Sequence, residues 1–156
     1  MIVKYLISFI LIAFGSCTLS QSRIKIEKSE VVKDPVTGLA WQKCSAGQSG
    51  NNCEIGKASE YNWLEAGKYC NTLEIAGKPA RLPTVVELDS LFYFTNNKSP
   101  PHIDKIRFPN TVLSYYWSST SNALNPMDAW YVVFGNGVVG SYRKVGTGSV
   151  RCVTGG

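Results

Sequence analysis

The sequence is poor in histidine, the side chain that most often acts as an acid–base group and as a metal ligand. It has a single histidine, His102, in a proline-rich stretch with only Asp104 nearby, and a nucleophilic site needs a base close to its nucleophile. No cysteine pair has the short CxxC spacing of zinc sites. We therefore expect no catalytic residue, no metal and no cofactor, and we interpret Glu65 and Glu87 as a surface carboxylate and a helix cap.

The sequence also offers no apolar run at its start that is long enough to cross a membrane. Residues 5–14 are apolar and uncharged, but ten residues of helix extend only about 15 Å, against a hydrocarbon core of about 30 Å. Lys4 precedes this run, and the small residues Gly15 and Ser16 follow it. The pattern predicts a signal peptide over residues 1–16.

Cys17 follows this segment directly. The stretch Phe14-Gly15-Ser16-Cys17 resembles the lipobox of bacterial lipoproteins, in which the cysteine thiol is acylated, although leucine is commonest where Phe14 stands. We expect Cys17 to be lipidated and the protein to be held on a membrane of the bacterial envelope by a polar tether over residues 17–30. The alternative is cleavage after Ala13-Phe14-Gly15, which would give a secreted or periplasmic protein. That cleavage leaves Cys17 as an unpaired fifth thiol.

Runs of basic residues are missing as well. Without Lys4, fifteen basic side chains are scattered among eleven acidic ones. This distribution predicts a solubilising surface and no nucleic-acid partner. A weak preference for anionic polymers or lipid headgroups is the alternative.

Four cysteines remain in the body of the chain: Cys44, Cys53, Cys70 and Cys152. An even set of this kind is typical of a domain that folds outside the reducing cytosol. Four cysteines allow three pairings, and the residues themselves leave this choice open.

Local patterns predict one α+β domain over residues 31–154. A Pro/Gly turn at 35–38 separates two strand-like segments, 31–34 and 39–42. Ser59 is predicted to cap a helix that starts at Glu60, and its apolar stripe is formed by Trp63, Ala66, Cys70 and Leu73. Thr84 and Glu87 have the spacing of a capping box at the start of a second, short helix.

The C-terminal third is predicted to be a strand meander. Strand-like segments at 113–118, 129–134, 138–144 and 149–153 are separated by turn signals. The strongest of these signals is Gly135-Asn136-Gly137, because Asn-Gly tolerates the positive φ angles of a tight hairpin.

Six segments, in this order along the chain, resemble the Lcl C-terminal domain family of exported bacterial proteins. They are 34–42 (DPVTGLAWQ), 63–66 (WLEA) with Cys70, 81–84 (RLPT) with Glu87-Leu88, 116–120 (YWSST), Ala129-Trp130 with Phe134, and 150–153 (VRCV). The resemblance implies a C-type-lectin-like fold, with two helices packed on antiparallel sheets and braced by disulfides. It also implies that Cys70 pairs with Cys152 and Cys44 with Cys53.

The segment at 81–84 also resembles the formylglycine-generating enzyme superfamily, which implies a competing enzymatic function. Those enzymes bind copper through a cysteine pair near the C-terminus, whereas this chain has only Cys152 there. Sugar-binding C-type lectins hold calcium through Glu-Pro-Asn or Gln-Pro-Asp motifs, which this chain lacks. Calcium-dependent sugar binding is therefore not expected.

The segment between the aromatic strand and Ala129 is the predicted binding surface. It spans 118–128, is rich in serine and asparagine, and is long for a hairpin connection. Core packing is the competing interpretation of its flanking aromatic residues. The residues predicted to contact a ligand are Trp117, Asn122, Asn125, Asp128 and Trp130. We expect a non-catalytic binding or adhesion module whose partner is a glycan or an extracellular-matrix polymer; the alternatives are an enzyme of the formylglycine-generating type and a structural envelope protein.

Overall fold

A computed structural model of the chain describes residues 23–93 and 99–155. The predicted signal peptide, Cys17 and the first part of the predicted tether lie outside the described residues. No helix within the described ranges is long and apolar enough to cross a membrane.

The described chain is an α+β domain, as predicted. Its helices are α1 (Trp63–Asn71) and α2 (Val85–Asp89), and a single 3₁₀ turn covers Lys28–Glu30. The strands are short, and they are β1 (Ile24–Lys25), β2 (Val31–Lys33), β3 (Ala40–Gln42), β4 (Gln48–Ser49), β5 (Ile55–Gly56), β6 (Glu60–Tyr61), β7 (Leu73–Ile75), β8 (Lys78–Pro79), β9 (Tyr115–Ser121), β10 (Asp128–Val133), β11 (Val139–Arg143), β12 (Gly148–Ser149) and β13 (Val153–Thr154).

The largest sheet has the strand order β11-β10-β9-β12-β6. Strand β10 is antiparallel to both of its neighbours, and Tyr131 is its partner to Trp117 on β9. The register between β9 and β10 shifts between Ala129 and Tyr131. The predicted Gly-Asn-Gly hairpin is confirmed, since it joins β10 to β11 with Gly137 at a φ of 74°.

A second sheet has the order β13-β3-β2 and pairs the last described strand with the hairpin formed by β2 and β3. Trp41 on β3 is opposite both Val32 and Val153. The predicted β2–β3 hairpin is thus confirmed. Its turn is held by Asp34, whose carboxylate accepts from the Thr37 hydroxyl at 2.7 Å, and this bond lowers the pKa of Asp34.

Two further sheets complete the fold. One is β1-β7-β8, in which β1 runs parallel to β7, and the other is the pair β4-β5. The parallel pairing places Ile24 opposite Leu73.

Helix α1 begins three residues later than predicted, because its cap is Asn62 and not Ser59. Asn62 accepts from the backbone N–H of Glu65 at 3.0 Å, and the Glu65 carboxylate accepts from the backbone N–H of Asn62 at 3.2 Å. Glu60 is part of β6, where it pairs with Ser149 of β12. Leu73 is buried as predicted, but it belongs to β7 and lies beyond the end of α1. Glu65 is exposed, as predicted, and it also caps the helix.

The predicted capping box of α2 is confirmed. The Thr84 hydroxyl accepts from the backbone N–H of Glu87 at 3.2 Å, and the Glu87 carboxylate accepts from the backbone N–H of Thr84 at 2.7 Å. Arg81 donates two hydrogen bonds to the same carboxylate, at 2.8 and 2.7 Å. These hydrogen bonds from Arg81 are the main reason why the pKa of Glu87 is lowered.

Two disulfides brace the domain with the pairing that the resemblance implied. Cys70 on α1 is bonded to Cys152, with 5.5 Å between their Cα atoms. Cys44 is bonded to Cys53, with 5.2 Å between their Cα atoms. The α+β class, the two helices against sheets and the disulfide pairing are thus confirmed, whereas the likeness to C-type lectins stays a prediction.

The core consists of two apolar clusters on opposite faces of the largest sheet. One lies beneath α1 and includes Trp117 and the Cys70–Cys152 disulfide. The other lies beneath α2 and includes Trp41 and Tyr116. Because Trp117 and Tyr116 are neighbours on β9, their side chains point to opposite faces of the sheet, one into each cluster. The largest sheet therefore lies between the two helices, with one apolar cluster packed between the sheet and each helix.

Candidate binding surface

The connection from β9 to β10, residues 122–127, forms a compact loop that we call the distal loop. The backbone N–H of Asn122 donates to the carbonyl of Asp128 at 3.0 Å, which closes the loop at its base. The backbone N–H of Asp128 donates to the carbonyl of Asn125 at 2.9 Å. Within the loop, the Asn122 side-chain oxygen accepts from the backbone N–H of Leu124 at 3.0 Å. These local bonds hold the loop in one shape.

The structure brings together the three polar residues that were predicted to bind a ligand. The Asn125 amide donates to the Asp128 carboxylate at 3.0 Å, and the Asn122 amide donates to the Ser141 hydroxyl at 3.0 Å. The other Asp128 oxygen lies 3.9 Å from Nε of Arg143. Much of the hydrogen-bonding capacity of these side chains is therefore used within the protein, where it fixes the loop.

Two apolar side chains on the distal loop project into solvent. Leu124 is 97% exposed and Met127 is 58% exposed. Their side chains form no hydrogen bonds; the two residues contribute only their backbone groups to the bonds that shape the loop. Sequence reasoning missed both, although the sequence held a signal: apolar residues within a connection that is otherwise polar.

Lys144 fixes the distal loop to α1, which sequence reasoning also missed. Its ammonium group donates to the Ser121 hydroxyl at 2.8 Å and to the Pro126 carbonyl at 2.9 Å. The same nitrogen lies 4.3 Å from the centre of the Trp63 ring. Its backbone N–H donates to the carbonyl of Met127, and its carbonyl accepts from the backbone N–H of Trp63. The distal loop is therefore attached to the N-terminal end of α1.

The two tryptophans that were predicted to contact a ligand have different surroundings. Trp130 is half-buried and follows directly on the base of the distal loop. Trp117 is fully buried, and its indole N–H donates to the carbonyl of Tyr61 at 2.9 Å. The structure thus corrects the inclusion of Trp117 in an exposed surface: its place opposite Tyr131 turns its ring into the core.

Three tyrosines form a cluster on the face of the largest sheet that also carries Trp117. The ring centres of Tyr115 and Tyr131 lie 4.9 Å apart, and those of Tyr115 and Tyr142 lie 5.8 Å apart. Tyr142 is half exposed and precedes Arg143 and Lys144. A Cβ atom on Gly140 would lie 2.7 Å from the Tyr131 hydroxyl, so only glycine leaves room for this ring. We call this group the tyrosine cluster.

The first described residues, which fall within the predicted tether, lie at the other end of α1. Arg23 donates from its side chain to the carbonyl of Asn71, the last residue of α1, at 3.1 Å. The backbone N–H of Ile24 donates to the carbonyl of Thr72 at 2.7 Å. Since α1 has nine residues at about 1.5 Å each, about 13 Å of helix separates Arg23 and Ile24 from the distal loop.

His102 lies in a cleft of about 590 Å³ beside α2, together with Asp34, Trp41 and Ser90. The Ser90 hydroxyl donates to the carbonyl of Glu87 at 2.6 Å, so its proton is used to end α2. Among the described residues that line the cleft, the Ser90 hydroxyl therefore does not donate its proton to a base, as a nucleophilic serine would. Within the described ranges, no group of three or more His, Cys, Asp or Glu residues is arranged to hold a metal ion.

The fold and these surfaces define a small, disulfide-braced α+β domain with an ordered loop at the N-terminal end of α1. The chain belongs to the Lcl C-terminal domain family, whose model matches residues 30–154. No curated protein matches the chain. Membership in this family, together with the two disulfides, indicates an exported bacterial protein.

Proposed function

We propose that this protein is a non-catalytic binding module of the bacterial cell envelope. In this proposal it is anchored through an acylated Cys17 and recognises a glycan or an extracellular-matrix polymer with its distal loop. The observation that carries the proposal is the position of the loop, which lies at the N-terminal end of α1 while the tether meets the C-terminal end. A domain tethered in this way presents the loop away from the membrane.

The order of the distal loop supports a role in recognition. Its backbone and side-chain hydrogen bonds, together with the contacts of Lys144, fix its shape before any partner arrives. A preformed loop avoids the entropic cost of ordering on binding. Loops that a rigid scaffold positions are also the common place for binding residues.

The chemistry around the loop suits a polymer with both polar and apolar faces. Leu124 and Met127 offer apolar contact, and the half-buried Trp130 adds an aromatic ring. Arg143, whose side chain is largely exposed, adds a positive charge next to Asp128. Aromatic and cationic groups combined with fixed amides are typical of recognition surfaces.

The sharpest test removes contact area without disturbing the loop. We expect a Leu124→Ser/Met127→Ser variant to lose binding on glycan and extracellular-matrix arrays, because it removes the exposed apolar side chains and none of the loop's side-chain hydrogen bonds. Val36→Ser is the matched control. Val36 is an apolar side chain that is 92% exposed, as Leu124 is, but it lies in the β2–β3 turn and not in the distal loop. That turn packs against the other end of the described chain, since Gly38 is close to Gly155.

A second variant tests the polar residues of the loop. Asn122→Ala/Asp128→Ala removes the bonds that shape the loop, and we expect it to lose binding to the same polymer. Unchanged binding of both variants to a confirmed polymer would place the site elsewhere on the domain. If the wild type binds no polymer on either array, a structural role in the envelope becomes the better account.

The competing enzymatic function is tested by counting free thiols. All four cysteines of the described domain are paired, so we expect no free thiol there in the folded, purified protein. An enzyme that binds copper through a cysteine pair requires both thiols to be free. Two titratable thiols together with copper binding would therefore favour the enzyme over the binding module.

A further inference from the structure

The connection from α2 to β9 contains no helix or strand in its described parts, residues 90–93 and 99–114. Connections of more than about 12–15 residues without regular structure are uncommon, and they are often binding elements. This one is ordered by local bonds: one oxygen of the Asp104 carboxylate accepts from the backbone N–H groups of Ile106 at 3.0 Å and of Arg107 at 3.2 Å. Residues 101–108 of the connection line the cleft beside α2.

The floor of this cleft is apolar. Trp41, Ile103 and Phe108 line it, each of them is almost fully buried, and all three belong to the apolar cluster beneath α2. The cleft volume of about 590 Å³ falls within the range of about 300–1,000 Å³ that is typical of small-molecule sites. The floor therefore offers apolar contact to a small molecule.

Two exposed apolar side chains also line the cleft. Ile106 is 91% exposed and Tyr93 is 60% exposed. The backbone N–H of Tyr93 donates to the carbonyl of His102 at 2.9 Å, which joins the chain after α2 to the 101–108 segment. Exposed apolar side chains that share one cleft are typical of a binding site. An alkyl or aryl group in the cleft would cover part of both side chains.

The two carboxylates that line the cleft are largely occupied. Both oxygens of Asp34 accept hydrogen bonds within the β2–β3 turn, from the backbone N–H of Val36 at 2.9 Å and from the Thr37 hydroxyl at 2.7 Å. Asp104 uses one oxygen for the two backbone bonds that shape its own turn. Carboxylates held in this way have little capacity left for hydrogen-bond donors of a ligand.

The two cations that line the cleft have more capacity. Nη2 of Arg107 donates to the Lys33 carbonyl, which fixes the guanidinium group, and the other four of its five N–H donors have no hydrogen-bond partner among the described residues. The Lys105 ammonium group donates to the carbonyls of Ser99 and Pro100. Both side chains are exposed, so a ligand oxygen can replace the water that solvates them. Because free donors outnumber free carboxylate oxygens, the polar edge of the cleft is complementary to an anion.

We propose that this cleft binds a soluble single-chain amphiphile with an anionic head, such as a fatty acid. The chain packs on Trp41 and Phe108, and the head accepts hydrogen bonds from Arg107 and Lys105. A carboxylate suits the planar fork of a guanidinium group. The described residues that line the cleft include none of the distal loop, so this proposal stands or falls independently of the proposed function.

Three probes separate the chain of the ligand from its charge: octanoate, 1-octanol and acetate. In ¹H–¹⁵N NMR spectra of the purified protein, we expect octanoate to shift the indole N–H signal of Trp41, which lines the cleft, and not that of Trp63 on α1. We expect 1-octanol, which lacks the charge, to bind about tenfold more weakly. Acetate lacks the chain and is expected to shift neither signal. Equal affinities for octanoate and 1-octanol, or no shift of the Trp41 signal by octanoate, would overturn the proposal.

Two variants test the assigned contacts. Lys105→Gln/Arg107→Gln is expected to weaken octanoate binding about tenfold or more and to leave 1-octanol binding unchanged. Ile106→Ser is expected to weaken the binding of both probes about fivefold. The matched controls are Lys57→Gln and Val145→Ser, since both side chains are exposed and neither lines the cleft. Unchanged octanoate affinity in both cleft variants would place the amphiphile elsewhere and overturn the proposal.

Vesicles of phosphatidylglycerol distinguish a soluble amphiphile from a membrane lipid. The Cys17→Ser variant, which has no thiol to acylate at this position, is expected to bind octanoate as the wild type does and not to sediment with these vesicles. If it sediments with the vesicles and octanoate leaves the Trp41 signal unchanged, the cleft is part of a membrane contact and the proposal is wrong.

Discussion

Removing the Cys70–Cys152 disulfide is expected to destabilise the domain far more than removing Cys44–Cys53. The two bridges differ mainly in the length of chain they close, with sequence separations of 82 and 9 residues. In the chain-entropy model these separations correspond to about 4.5 and about 2.6 kcal/mol. We therefore expect the free energies of unfolding of the two double-alanine variants to differ by about 2 kcal/mol.

The two bridges are matched in their burial. All four cysteines are at most 2% exposed, so replacement by alanine removes a similar amount of buried sulfur from each site. The total stability of a domain is typically about 5–15 kcal/mol, so losing the long bridge removes a large part of it. We therefore expect the domain to need an oxidising compartment in order to persist, in agreement with its expected export.

Urea unfolding monitored by tryptophan fluorescence measures this difference. Trp41 and Trp117 are almost fully buried, so their emission reports the loss of the core. The comparison is between Cys70→Ala/Cys152→Ala and Cys44→Ala/Cys53→Ala under identical conditions, with free energies extrapolated to water. Equal losses for the two variants, or a larger loss for the short bridge, would refute the argument from loop length.

Three further predictions concern the anchor, the distal loop and the cap of α2. Replacing Cys17 by serine is expected to abolish acylation and to shift the protein from the detergent phase to the aqueous phase. If the wild type and the variant partition equally and neither carries the mass of an acyl chain, lipid anchoring is contradicted. Lys144→Met is expected to lower the free energy of unfolding by about 1 kcal/mol, because it removes two partly exposed hydrogen bonds and a cation–π contact. Limited proteolysis of this variant should cut first within residues 122–127. First cleavage elsewhere would show that Lys144 does not hold the loop. The lowered pKa of Glu87, caused mainly by its hydrogen bonds from Arg81, contributes stability above its ordinary pKa of 4.5 that is lost as the pH falls further. We expect Glu87→Gln to flatten this acid dependence in thermal melts, whereas an unchanged slope would assign it to other groups.

Local sequence signals determined several elements of the fold. The turn after Asp34, the Thr84–Glu87 capping box and the Gly-Asn-Gly hairpin all formed where they were predicted. In each case, the groups that decide the conformation lie within a few residues of one another. The disulfide pairing was different, since only the resemblance to a family selected it among three possibilities.

Tertiary structure decided the features that depend on distant residues. Helix α1 starts at Trp63 because Glu60 and Tyr61 pair with β12, almost ninety residues later in the chain. Trp117 was predicted at the surface, but the register of the sheet turns it into the core. The sequence offered no local sign that Lys144 would fix the distal loop or that Arg151 would be buried without a carboxylate. Both depend on contacts between strands, helices and loops that the sequence separates and only the folded chain brings together.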